Sequence, residues 1–405
     1  MNETEKQTEG SPLPKSVLKW AAAGLVLSSA VVIGITLFSG VTLSDLSKLG
    51  YLTFGLAAAV SAARLLVQIA RFRVVTTGLG GDKKLSLSGL PITRVASEFI
   101  SVSTPATSMG VFLRTSWLSG KGVDGGRALW IGYFEVLIEI YVGCGVALIA
   151  AAYALSKGSV VLGSTIAVIA TVLIFGYTLF FVIPAVKIIK VPHRVFSIAS
   201  RLVGGPRATA LYLRAIVGSL NFSLAARAIV NRRTLPVVVK AILLTVLEDF
   251  LDGAALWLVL NAAGLKIDLV SATLAAYGVA AVAQLPITIG GAGVTELTMQ
   301  AYLVSVYGFS SWAAVVLWRI ATYQVMLAVT GIVFVVYLRK TAHRPYKAVE
   351  ERVPPEAVTS ASTSTRTATN SGARPAGSDG ADAPARGSYK SRALPFSQAE
   401  RTCRV

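Results

Sequence analysis

The sequence is poor in the residues from which soluble active sites are built. Two cysteines, Cys144 and Cys403, cannot make a disulfide framework and stand in no metal-ligand spacing. The two histidines, His193 and His343, lie beside basic residues in polar segments. Zinc chemistry and a Ser/His/Asp triad are therefore poorly supported, and no catalytic residue, metal or cofactor is expected. Charge is scarce too: 14% of the 405 residues are charged, against about 25% in soluble domains. Acids are the scarcest, with 20 Asp and Glu against 38 Lys and Arg and a net charge of +18. A basic excess can point to nucleic acid, but so apolar a chain has no soluble body to present a basic face.

What fills the sequence is hydrophobic: 54% of residues, with mean hydropathy +0.66. The polar start is not followed by a short apolar stretch with a small-residue cleavage site, so the first apolar run reads as an uncleaved span. A span needs roughly 20 apolar residues. Six runs reach that scale: Trp20–Phe38, Tyr51–Ala70, Ala128–Ala154, Val160–Val186, Val237–Ala262 and Trp312–Leu338. Two more, Val95–Leu113 and Leu269–Val306, are interrupted, the first at Thr104-Pro105 and the second by Pro286-Ile-Thr-Ile-Gly-Gly-Ala-Gly293. Broken backbone at membrane depth is tolerated only where protein or a water-filled cavity covers it. The expected fold is thus an all-α polytopic membrane protein, with about six full spans plus two re-entrant helical hairpins, or eight spans if each half crosses. Residues 1–17 read as a cytoplasmic N-terminal tail, 18–340 as the transmembrane domain and 341–405 as a disordered cytoplasmic tail.

Lys and Arg placement sets the orientation. The loops Arg71–Arg94 and Lys187–Lys240 and the tail are basic and assigned to the cytoplasm, which puts both termini inside a cell membrane. Within residues 187–240, spaced arginines among apolar residues suggest amphipathic helices on the inner leaflet, with a solvated helical loop as the equal alternative.

The interrupted segments share an order: a proline break, glycines (Gly110 in one; Gly290, Gly291 and Gly293 in the other), a glycine-marked turn, then a long span carrying charge. The long spans would run in opposite directions, so the order suggests an inverted repeat, whose interface is where transporters place their substrate. Pro105, Gly110, Pro286, Gly290, Gly291 and Gly293 are the expected hinge positions. The Gly290-Gly-Ala-Gly293 run follows no strand and is not a dinucleotide loop.

Charge at the centre of a span costs about 2.5–3.5 kcal/mol, yet Arg64, Glu135, Glu139, Glu248, Asp249, Asp252 and Arg319 are placed there. Glu98, Arg114 and Glu296 flank the broken segments. Glu135/Glu139 and Glu248/Asp252 have i,i+4 spacing and share helix faces, so a cation or proton must intervene. The internal cations expected to do so are Arg64, Arg114 and Arg319. These charges either lock helices together or line a polar cavity. In the cavity reading, Arg319 and Arg114 contact phosphate, and Glu135, Glu139, Glu248 and Asp252 take a cationic headgroup or a proton. Glu296 either satisfies the helix start after Gly293 or leaves that place to an anion.

Three stretches resemble the lysylphosphatidylglycerol synthase transmembrane, or flippase-like, family: Pro286 through Glu296, Val315-Val-Leu-Trp-Arg319 with Tyr323, and Thr104-Pro105 through Gly110 to Arg114 with Glu135 and Glu139 downstream. Val111 and Val136 stand where the family usually has Glu and Arg. The resemblance covers about residues 18–340. It implies movement of aminoacylated phospholipid or lipid-linked glycan between leaflets. It also implies membrane lipids as partners, with a separate aminoacyl- or glycosyltransferase. No soluble transferase domain is legible, so the chain is not expected to be an enzyme, and self-association is left open. The rivals to a lipid translocator are a proton-coupled solute transporter and a membrane partner or enzyme of lipid-linked assembly.

Overall fold

The computed structural model describes residues 15–80, 85–104, 110–182, 234–285 and 288–342, and these are helical throughout their regular parts. Helix α1 spans Lys15–Phe38, α2 is the single turn and a half Leu43–Lys48, and α3 runs Tyr51–Leu79. The Thr42 hydroxyl and the Asp45 carboxylate cap the start of α2 reciprocally, which satisfies amides a helix start leaves open. α3 passes the expected end at Ala70 because nothing breaks it before Gly80-Gly81. That extension is a correction: Arg71 belongs to a helix, not to a basic loop.

The first interrupted segment becomes two short helices, α4 (Leu90–Val102) and α5 (Gly110–Gly120). α4 is entered through Pro91 in its first turn, where proline costs no hydrogen bond. It also draws Arg94 out of the expected loop. α6 (Gly125–Ser156) and α7 (Val160–Val182) follow, then α8 (Leu235–Ala262). α8 starts at Leu235, so Lys240 lies in the helix and not in the basic segment assigned to 187–240. The expected amphipathic helices and the C-terminal tail beyond 342 fall outside the described residues.

The second interrupted segment is α9 (Leu269–Ala283) and α10 (Val294–Tyr307), and the last long helix is α11 (Trp312–Arg319), a π-turn over Ile320–Gln324, and α12 (Val325–Ala342). Asp268 caps α9, accepting from the Ser271 amide at 2.9 Å and the Ser271 hydroxyl at 2.8 Å. Those bonds hold its carboxyl below the usual carboxylate range. The four short helices have 13, 11, 15 and 14 residues. At about 1.5 Å per residue none reaches the roughly 30 Å of a bilayer's hydrocarbon core.

Four helical stretches among the described residues are long and apolar enough to cross a membrane: Tyr51–Leu79, Gly125–Ser156, Val160–Thr178 and Trp312–Thr341. α8 has the length, 28 residues, but carries Glu248, Asp249 and Asp252 at its middle. Polarity is inverted relative to a soluble protein. Phe38, Val161, Phe175 and Ile332 point outward, while Arg71, Arg94 and Glu135 are fully buried. Charge on the inside of an apolar bundle is the membrane pattern.

Packing is crosswise. α3 lies along α8, α9 packs against α6 and α8, and α4 packs against α12. The core around α9 is built from small residues, among them Ala147, Ala151, Ala255, Ala275 and Ala276, which let helices approach closely. Gly253 is the tightest case: a Cβ there would stand 2.6 Å from Thr273 Cα, so any larger residue would force α8 and α9 apart.

Candidate functional site

On α3, Arg64, Gln68 and Arg71 recur at i, i+4 and i+7 and therefore share one face. That face meets α8. Arg64 Nη1 donates to Asp252 Oδ1 at 2.9 Å, Gln68 Nε2 to Glu248 Oε1 at 2.5 Å, and Arg71 Nη1 to Glu248 Oε2 at 2.7 Å and to Thr245 Oγ1 at 2.9 Å. Arg71 also reaches α6, pairing with Glu139 and standing 3.5 Å from Glu135. Arg94 on α4 donates to Glu135 at 3.1 Å, to Glu98 at 2.8 Å and to Glu139 at 3.4 Å. Arg114 on α5 pairs with Glu135.

Glu135 thus sits beneath three guanidiniums, with no solvent exposure. The cations that relieve the carboxylates are mainly Arg71 and Arg94, so the expected set of Arg64, Arg114 and Arg319 was incomplete. Arg114, expected on phosphate, pairs with Glu135, and its Nε has no hydrogen-bond partner. The cluster joins four arginines to five carboxylates, Glu98, Glu135, Glu139, Glu248 and Asp252, and with the buried Asp249 beside them it carries an acidic surplus.

Arg319 forms a second centre, apart from these ion pairs. Its Nε donates to Glu296 Oε1 at 2.9 Å and its Nη2 to the Gly290 carbonyl at 2.6 Å. The other Glu296 oxygen accepts from the Gly293 amide at 2.7 Å. Glu296 therefore serves the helix start, as one of its two expected roles has it, and holds Arg319 as well. The guanidinium lies 3.9 Å over the Tyr323 ring, and the Tyr323 hydroxyl donates to the Val102 carbonyl at the end of α4 at 3.2 Å. Tyr323 is presented by the π-turn, in which the Val325 amide reaches back to the Ile320 carbonyl; such turns recur at functional sites.

Among the expected hinge positions, Gly290, Gly291 and Gly293 all have positive φ, at 60°, 69° and 86°. At Gly290 the need is also steric, since a Cβ would stand 2.6 Å from Tyr323 Cζ. Gly110 opens α5 against Ser97 and Ser101 of α4. Pro105 and Pro286 lie outside the described residues.

Among the described residues, two cavities share a border in the bundle. One, of about 240 Å³, is bordered by Arg64, Asp252, Thr288, Gly290, Arg319 and Tyr323. The other, of about 230 Å³, is bordered by Arg64, Arg114, Glu98, Glu139, Glu248 and Asp249. Arg64, Val102 and Gln284 border both. Of the expected site residues, Arg64, Arg114, Glu139, Glu248, Asp252 and Arg319 border a cavity, while Glu135 and Glu296 stand behind as buried counter-ions. Gln68, Arg71, Arg94, Thr245, Tyr277 and Gln284 were not expected. The 64, 68, 71 spacing and the i,i+4 pair Arg94/Glu98 were the signals available for three of these, Gln68, Arg71 and Arg94. Each cavity is smaller than the roughly 300–1,000 Å³ of ordinary ligand pockets.

Residues 21–330 match the family model described as Lysylphosphatidylglycerol synthase TM region. A search of curated proteins finds no match. The match takes in α2 to α11, parts of α1 and α12, the Arg319 centre and the acidic cluster, and the chain is an integral membrane protein of the lysylphosphatidylglycerol synthase TM region family.

Proposed function

We propose that the chain is a lipid translocator, in which a charged headgroup crosses through the two cavities while the acyl or polyprenyl tails stay in the bilayer. The observation that carries this reading is the pair of adjoining charged cavities, which share Arg64, Val102 and Gln284 inside a bundle whose outer surface is apolar. A headgroup with both phosphate and a positive charge suits the pair. Arg319 offers a planar fork to phosphate if Glu296 yields it, and the acidic cavity accepts a cation. The family's name supports an aminoacylated phospholipid as that substrate, supplied by a separate transferase.

In this reading the recurring order of long helix, broken pair, long helix is an inverted repeat, and the broken pairs are re-entrant. The crosswise packing of α4 on α12 and α9 on α6 supports it, because each pair then seals against the other half. Both termini lie in the cytoplasm. The test is reconstitution of the full chain in liposomes with labelled lysylphosphatidylglycerol, phosphatidylglycerol and polyprenyl-phosphate sugars. Headgroup movement faster than in protein-free vesicles is the expected result. Equal rates for every lipid reject the reading. Uptake of a water-soluble amine without lipid movement would instead favour a solute transporter.

A further inference from the structure

Asp249 stands apart from the five carboxylates of the cluster. Glu98, Glu135, Glu139, Glu248 and Asp252 each have an arginine within 4.0 Å. Asp249 is 3% exposed, has no ion pair among the described residues, and its Oδ2 has no hydrogen-bond partner. Asp249 and Tyr277 on α9 both border the acidic cavity.

The groups packed around Asp249 do not offer it a cation. Glu248 and Asp252 flank it on α8, and the guanidiniums of Arg64 and Arg71 on α3 are bonded to Asp252, Glu248 and Glu139. Across the same cavity stand Arg94 and Glu98 on α4, Arg114 on α5, Glu139 on α6 and Tyr177 on α7. Arg94 and Arg114 are held by Glu98 and Glu135. An ionised carboxylate buried without a counter-charge is strongly disfavoured, and such a group takes up a proton instead.

We propose that Asp249 is a proton-binding site of the acidic cavity. In the resting protein it is a neutral acid at the cavity it shares with Tyr277, with its Oδ2 buried and unpartnered. When a cationic group enters, the O–H bond breaks, the proton passes to water, and the entering charge replaces it. The exchange rests on the translocation reading, whereas the proton occupancy does not.

Infrared difference spectroscopy of the full chain in vesicles tests this. At neutral pH the wild type is expected to show the carbonyl stretch of a protonated carboxylic acid. The band should be missing in Asp249→Asn and reversibly lost from the wild type in alkali. Asparagine is isosteric with the neutral acid, so the variant is expected to fold. Should it not, incorporation of isotope-labelled aspartate into the wild type must shift the band. Absence of an Asn-sensitive or label-sensitive band at neutral pH overturns the proton site. Addition of ethylammonium chloride at neutral pH should remove the band, and a band untouched by it overturns the exchange. The spectrum is read whether or not any lipid crosses, so a translocation failure leaves this result standing.

Discussion

Arg64 donates a 2.9 Å hydrogen bond to Asp252, and its side chain borders both internal cavities. The pair lies where α3 meets α8, and Arg64 is one of three residues that line both chambers.

Removing one partner of a buried pair typically costs about 3–5 kcal/mol. The two side chains keep 19% and 17% exposure, which places Arg64→Gln toward the low end, about 3 kcal/mol. The single variant should lower the thermal midpoint in detergent clearly. The double variant Arg64→Gln/Asp252→Asn should recover most of the loss. Equal midpoints for the wild type and the single variant would show that the pair is not coupled.

Glu135 and Glu139 should separate stability from transport. Glu135 has no exposed surface and answers three arginines, so Glu135→Gln leaves those cations short of charge. The expected loss is about 3–5 kcal/mol, seen as a large fall in midpoint or a failure to assemble. Glu139 keeps 35% exposure and borders the acidic cavity. Glu139→Gln should therefore unfold near the wild type while headgroup movement in liposomes falls by about tenfold, the equivalent of about 1.4 kcal/mol.

Arg319→Lys tests whether the fork matters or only the charge. A lysine keeps the positive charge but cannot bond Glu296 and the Gly290 carbonyl in one plane while lying over Tyr323. Headgroup movement is expected to fall at least about tenfold, with the loss of one charge-assisted bond worth about 1.5–3 kcal/mol. Full activity in the lysine variant would reduce the site to a point charge.

Asp268 should make the start of α9 acid-sensitive. Its carboxyl is held below the usual range by the Ser271 bonds, so the ionised form is favoured in the folded state. The stabilisation is complete above the unfolded-state pKa of about 3.9 and is lost as pH falls through the lower folded value. Amide exchange in the first turn of α9, followed by mass spectrometry, should rise over that interval. Asp268→Asn should show faster exchange at neutral pH and no such step.

The spans and breaks were legible because apolar runs and prolines act locally, and α6 or the pair α9 and α10 needs nothing more. The acids were legible for the same reason, each being a charge inside an apolar run. Arg71 and Arg94 were misread because they sit at the ends of such runs, beside Arg73 and the Lys83-Lys84 pair, where the positive-inside rule assigns them to a loop. Only the i, i+4, i+7 stripe of Arg64, Gln68 and Arg71 argued otherwise. The partnership of Glu296 with Arg319 was beyond reach, because it depends on how two helices and a glycine turn meet.

The chain emerges from the ribosome N-terminus first, and the crosswise packing sets an order for its insertion. Arg64 finds its ion-pair partners, among the described residues, only on α8, with Asp252 lying 188 positions later. At about 5–20 residues per second of synthesis, this guanidinium is made on the order of ten to forty seconds before its counter-charge. α4 waits longer still for one of the helices it packs against, since α12 is the last of the described helices to be made. The first half must therefore be sheltered, by lipid headgroups or by the insertion machinery, until the second half arrives to close it.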